Sequence, residues 1–140
     1  MRQKKVWRYY CDFCKKANCS KPSIEKHEQH CTMNPNRHCG MCDYTENVQE
    51  NIESLKDALI EDVNCHLEKH REDYVLADAV DIPKLRKASG NCPACILAAI
   101  RQAGSEIEGL CVYVYFDYQK ESQATLSEFN NENDYYSCVY

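Results

Sequence analysis

The sequence predicts a mainly α fold, at most a small α+β protein, with an N-terminal module over residues 1–38 and a helical body over 39–140. Three observations lead there. Apolar residues recur at helical spacing through the middle of the chain, whereas only one short stretch, 111–116, is β-branched and aromatic. Large apolar residues are sparse, and ten of the fourteen aromatic rings are tyrosine, so the aliphatic core is small for 140 residues. Cysteine is the excess residue: there are eleven, six of them within residues 1–42, and cross-links or metals are expected to supplement the core.

The body divides into five elements. Val48, Ile52, Leu55, Leu59, Val63 and Leu67 follow one another at steps of three and four, which predicts a single long helix over 45–72, capped by Thr45 or Asn47. A short helix is expected over 83–89, stopped at Gly90, and another over 92–104, with Pro93 in its first turn and Gly104 at its end. Residues 111–116 are the strand or hairpin candidate, and 118–130 the last helix after Asp117. The polar, acidic residues beyond 130 read as a mobile tail.

The N-terminus is charged and lacks the apolar run of a secretory signal, and no stretch is long and apolar enough to span a membrane. A cytoplasmic setting is therefore expected. There thiols stay reduced, and an odd number of them points to metal thiolates rather than disulfides. Charge is unevenly placed. Residues 1–42 carry nine Lys/Arg against three Asp/Glu, a net of +6, and residues 43–140 carry eight against nineteen, a net of −11. A basic head suits nucleic acid or another polyanion, and an acidic body repels both.

Cys11-x2-Cys14-x12-His27-x3-Cys31 is the strongest motif. A Cys-x2-Cys turn aims two thiolates at one point, and ligands four apart on a returning helix share a face. Zinc takes four such ligands tetrahedrally, closing a structural site. Tyr9 and Ile24 supply apolar packing, and Ser20 with Pro22 suits a helix start. His30 or Cys19, each within a turn of a predicted ligand, could exchange with a neighbour. These residues resemble the Cys2His2 zinc finger in its Cys2HisCys variant. Docked as such a finger, the helix would present Ser20, Ser23 and Lys26 to bases, a poor reading set. Non-specific phosphate contact by Lys4, Lys5, Arg8, Lys15, Lys16, Lys21 and Lys26 is the more credible mode.

A second site is expected at Cys39-x2-Cys42, for which two partner pairs compete. Cys92-x2-Cys95, across 49 intervening residues, is preferred because two tight turns clamp a metal without distorting a helix. His66-x3-His70, on one face of the long helix, is the rival. Cys65, Cys111 and Cys138 read as spare thiols, with Cys65 and Cys111 buried. His66-Leu67-Glu68 with Cys92-Pro93-Ala94-Cys95 superficially matches the zinc-dependent nucleobase deaminases. Three features count against it: Asn91 stands where that signature has proline, His66 falls late in its helix, and residues 84–90 before the second motif are helical and charged where the enzyme has a core strand. The sheet such an enzyme needs has only one strand candidate here. A zinc nuclease built from His27, His30, Asn34 and Cys39/Cys42 lacks the acidic-His and glycine-rich parts of its motif. No complete catalytic constellation stands out, and the chain reads as a binding module rather than an enzyme.

Tyr10-Cys11-Asp12-Phe13-Cys14, the run from Glu25 to Arg37, Cys39-Gly40-Met41-Cys42 and the run from Asn91 to Gln102 together resemble a group of small phage-encoded zinc-finger proteins, mostly without assigned function. The resemblance implies two structural zinc ions, with Cys39, Cys42, Cys92 and Cys95 sharing one site. It also implies work in the host cytoplasm on nucleic acid or a host protein. The alternative is an inhibitor or adaptor that engages a host factor through the acidic body. The resemblance brings no known reaction.

Overall fold

The computed structural model describes residues 1–69, 80–107 and 114–133. Its elements, in chain order, begin with β1 (Tyr9–Tyr10), β2 (Ala17–Asn18) and α1 (Lys21–His30). The body follows as α2 (Gly40–Tyr44), α3 (Ile52–Lys69), α4 (Pro83–Ala88), α5 (Pro93–Glu106) and α6 (Tyr118–Asn133). The mainly helical reading holds, with one small sheet near the N-terminus. β1 and β2 pair antiparallel, Tyr9 opposite Asn18 and Tyr10 opposite Ala17, and α1 packs on this ribbon through the buried Ile24.

Several sequence expectations need correction. The sheet among the described residues lies at 9–18; of the expected strand at 111–116, residues 111–113 lie outside the described residues, and Val114–Phe116 is neither helix nor strand. The long helix starts at Ile52, not 45. Asn51 ends the approach to it, its carbonyl accepting the Leu55 N–H and its side chain the Glu53 N–H, so neither Thr45 nor Asn47 is the cap. Val48 consequently lies off the packed face at 86% exposed, and Leu67 near the far end is exposed as well. Gly104 does not stop α5, which runs two residues further. Cys65 is exposed rather than buried, and Cys111, Cys138 and the tail from 134 lie outside the described residues.

The core is aliphatic and small, as the composition requires. Leu55, Leu59 and Val63 on α3 meet Val80, Ile82 and Leu85 around α4, and Ile96, Ala99 and Ala103 on α5. The alanines let α5 approach α3 closely, and the four metal-competent cysteines of the body belong to the same cluster. Three of the four prolines, Pro22, Pro83 and Pro93, sit in the first turns of α1, α4 and α5, where a missing N–H costs nothing.

Two buried polar residues on α3 serve its neighbours. α4 has no side-chain cap of its own at Ile82. Asp62, buried on α3, supplies one from outside, accepting the Lys84 N–H at 3.1 Å and the Leu85 N–H at 2.9 Å. Lys56, also buried, reaches Glu106 at the end of α5 at 2.7 Å and Glu53 at 3.1 Å, and these carboxylates raise its pKa. α6 is held more loosely. Arg86 on α4 grips Glu121 through two hydrogen bonds of 2.8 and 3.1 Å, and Tyr44 touches Phe129 and donates to Asn130.

The cap supplied by Asp62 is testable. Asp62→Ala leaves two first-turn N–H groups of α4 without acceptors and is expected to cost about 2–3 kcal/mol in a urea titration of the metal-loaded protein. Glu61→Ala, which removes only an exposed ion pair to Lys84, should cost about 1 kcal/mol or less.

Candidate metal centres

In the finger, Cys11 and Cys14 occupy the turn that joins β1 to β2. The Cys11 N–H donates to the Lys16 carbonyl at 2.9 Å and closes the turn. Two further N–H groups point at sulfur, Phe13 to Cys11 Sγ and Lys16 to Cys14 Sγ, each at 3.4 Å. His27 projects from α1, and Cys31 lies one residue past its end. The metal-binding atoms of Cys11, Cys14, His27 and Cys31 all lie within 4.8 Å of one another, and Cys14 Sγ is 3.2 Å from His27 Nε2. Around a tetrahedral ion with ordinary metal–ligand lengths, a sulfur and a nitrogen stand about 3.5 Å apart. The cluster therefore fits a single ion. His30 does not exchange into it: its Nδ1 is hydrogen-bonded to the His38 carbonyl. Cys19 is exposed and outside the group.

The second cluster joins Cys39 and Cys42 to Cys92 and Cys95, again with all four sulfurs within 4.8 Å and all four buried. The two turns are placed alike. Cys39 precedes the first residue of α2 and Cys92 the first residue of α5, so each pair spans a helix start. The N-terminal N–H groups and the positive helix end favour thiolate there. Cys39 Sγ accepts the Cys42 N–H at 3.3 Å. Across the site, Cys39 faces Cys92 at 3.6 Å and Cys42 faces Cys95 at 3.5 Å. Disulfide sulfurs stand about 2.05 Å apart, and sulfurs around a tetrahedral ion about 3.8 Å, so the observed spacing is that of metal ligands.

Ionisation in the two clusters follows from crowding. Hydrogen bonds from Cys92 and Cys95 hold Cys39 far below the ordinary thiol range. Burial, with the neighbouring Cys92, pushes Cys42 up to about 12, and Cys39 and Cys92 push Cys95 higher still. The Cys39 thiolate is thus favoured at the expense of Cys42 and Cys95. In the finger, burial raises Cys31 to about 11. Burial opposes ionisation of Cys14 too, but the Lys16 N–H and the Cys11 and Cys31 thiols outweigh it and leave Cys14 lowered. Burial and the Lys16 charge lower His27, which keeps its imidazole neutral and its lone pair free for a metal.

Supporting residues appear that spacing alone did not single out. Asn47 donates to Cys42 Sγ at 3.5 Å and to the Ser89 carbonyl at 3.0 Å, tying the two cysteine turns together. Its position explains Gly90, whose φ is +63°: a Cβ there would stand 2.5 Å from the Asn47 side-chain oxygen. Arg37 is buried with its guanidinium 3.9 Å from Cys95 Sγ, and Gln49 holds the turn by accepting from Cys39 N–H and donating to the Arg37 carbonyl. Gln102, buried on α5, donates to the carbonyls of Thr32 and Asn34, and Arg101 donates to the Thr32 hydroxyl. The segment that leaves the finger is thereby fastened to α5. Gly90 and Asn91, the two residues just before Cys92, both take left-handed backbone.

The rival ligand pair is only half within the described residues. His66 lies outside both groups, and His70 outside the described residues. The deaminase pattern fails at the same point, because Cys92 and Cys95 converge with Cys39 and Cys42 instead of with His66. The fold and its two centres define a mainly helical protein with two Cys/His tetrads, each able to hold a metal ion. No family model, curated protein or solved structure matches the chain. No described helix is long and apolar enough to cross a membrane.

Elemental analysis of the purified chain should find two ions per molecule. Cys92→Ser and Cys31→Ser should each retain one, and His66→Ala both. Loss of an ion in His66→Ala, with both kept in Cys92→Ser, would move the second site onto the long helix.

Proposed function

We propose that this chain is a zinc-binding accessory protein of the phage-encoded kind its motifs resemble, acting in the host cytoplasm, with its basic finger contacting nucleic acid. Zinc is the metal that suits the donors: seven sulfurs and one imidazole nitrogen, in two groups of four, with no oxygen among them. Four protein ligands fill a tetrahedral ion and leave no position for water or substrate, so both ions are structural. The work is then done by surfaces.

The observation that carries the nucleic-acid reading is the placement of cationic side chains. Lys4, Lys5, Arg8, Lys15, Lys16, Lys21 and Lys26 are all exposed, and all belong to the metal-competent finger or the segment that leads into it. The net of −11 on residues 43–140 favours a second reading, in which the acidic body engages a basic host protein as an inhibitor or adaptor. Neutralising about four phosphates should make nucleic-acid affinity fall roughly 100-fold between 50 and 200 mM salt. Reversing Lys4, Lys5, Lys15 and Lys16 to glutamate should abolish binding and its salt dependence. If that variant binds as wild type does, or if neither protein binds, the acidic-body reading takes its place.

A further inference from the structure

Cationic charge in the finger is concentrated away from the helix that would enter a DNA groove. Residues 1–16 hold six Lys/Arg and a single acidic residue, Asp12. α1, by contrast, balances Lys21 and Lys26 with Glu25 and Glu28, and Lys21 lies 3.8 Å from Glu25. Glu28 is also used internally, accepting the Asp12 N–H, and Ser23 is engaged by Asn18. The groove-reading face of α1 is thus close to neutral and partly occupied.

The cationic segment also carries exposed rings. Trp7 is 84% exposed, Tyr10 65% and Phe13 39%. Tyr9 is half-buried beside α1, and since successive strand residues face opposite ways, Tyr10 projects from the other side of the ribbon. Phe13 sits in the cysteine turn that a metal would fix. Flat rings open to solvent among lysines match the two parts of an unpaired strand: phosphates for the cations, base faces for the rings. A duplex hides its base faces and would leave the rings unused, and a base-free polyanion would need only the lysines.

We infer that the finger binds single-stranded nucleic acid, stacking bases on Trp7, Tyr10 and Phe13 while Lys4, Lys5, Arg8, Lys15 and Lys16 follow the phosphates. The inference rests on the nucleic-acid reading above and names its substrate class. Sequence selectivity is weak in such a mode, because every base offers a ring face.

Trp7 is the only tryptophan in the chain, so its emission reports on the site directly. The full, zinc-loaded protein is titrated at low salt with a twelve-nucleotide oligothymidine, the matching oligouridine, a duplex of equal length and heparin. Saturable quenching is expected with the single strands, which should bind at least about 10-fold tighter than the duplex. Trp7→Ala and Tyr10→Ala, followed by anisotropy of labelled oligonucleotide, should each weaken single-strand binding about 10-fold and leave duplex and heparin binding within a factor of two. Both side chains are exposed, so their loss spares the fold. A preference for oligothymidine or oligouridine distinguishes DNA from RNA within the same chemistry. Equal affinity for duplex and single strand, or single-strand binding indifferent to both substitutions, overturns the inference while leaving phosphate contact by the lysines intact. Binding to heparin alone, or to nothing, overturns both readings.

Discussion

Four sulfurs held within 4.8 Å of one another in a dry interior cannot all ionise without a cation, and the fold of the body is arranged around that constraint. The chain between Cys42 and Cys92 leaves as α3 and returns through α4, so the tetrad closes a long excursion. A metal held there would repay the closure, since structural sites of this type supply roughly 10 kcal/mol or more of apparent folding energy. A divalent ion with four thiolates still carries excess negative charge. The Arg37 guanidinium near Cys95, the Asn47 amide near Cys42 and the starts of α2 and α5 all place positive potential against it.

The same constraint couples the two centres. Cys31 ends the finger helix and Cys39 begins the second site, and the few residues between them are fixed from both sides. Asn34 reaches back to the Glu28 carbonyl, Gln102 and Arg101 reach across from α5, and Gln49 holds the Arg37 carbonyl. Hydrogen bonds, most of them to backbone carbonyls, thus tie the segment leaving the finger to α5 and to the second cysteine turn. Such contacts are specific in direction but individually modest, about 1 kcal/mol each. The aliphatic core under α3, α4 and α5 is small, and ions held in the two tetrads would supplement it.

Both tetrads were legible in the sequence, because ligand spacing is a local property: two residues between cysteines define a turn, and three between His27 and Cys31 define one helical face. The choice of Cys92 and Cys95 over His66 and His70 was weaker, since spacing cannot say which distant turns meet. Helix existence was readable from periodicity, and helix starts were not. Val48 continued the apolar pattern, yet Asn47 was needed by the cysteine turns and Asn51 stopped the chain from joining the helix earlier. Asp62, Arg37 and Gln102 were invisible for a common reason. Each satisfies backbone or sulfur atoms far away in sequence, and a polar residue on an apolar face carries no sign of such a partner. The ribbon at 9–18 went unseen because two-residue strands leave no alternation, while the β-branched stretch at 111–116 offered a stronger local signal in a place where Val114–Phe116 forms no strand.

The claim that metal at two tetrads holds the chain together is tested most directly by alkylating the thiols of the metal-loaded and metal-stripped protein and mapping the modified residues by mass spectrometry. Cys11, Cys14, Cys31, Cys39, Cys42, Cys92 and Cys95 should be protected in the loaded protein while Cys19 and Cys65 react at once, and chelation should open all seven together with loss of helical circular dichroism. Labelling of Cys39, Cys42, Cys92 and Cys95 as fast as Cys19 in the loaded protein would contradict it, as would their continued protection in a fully helical protein stripped of metal.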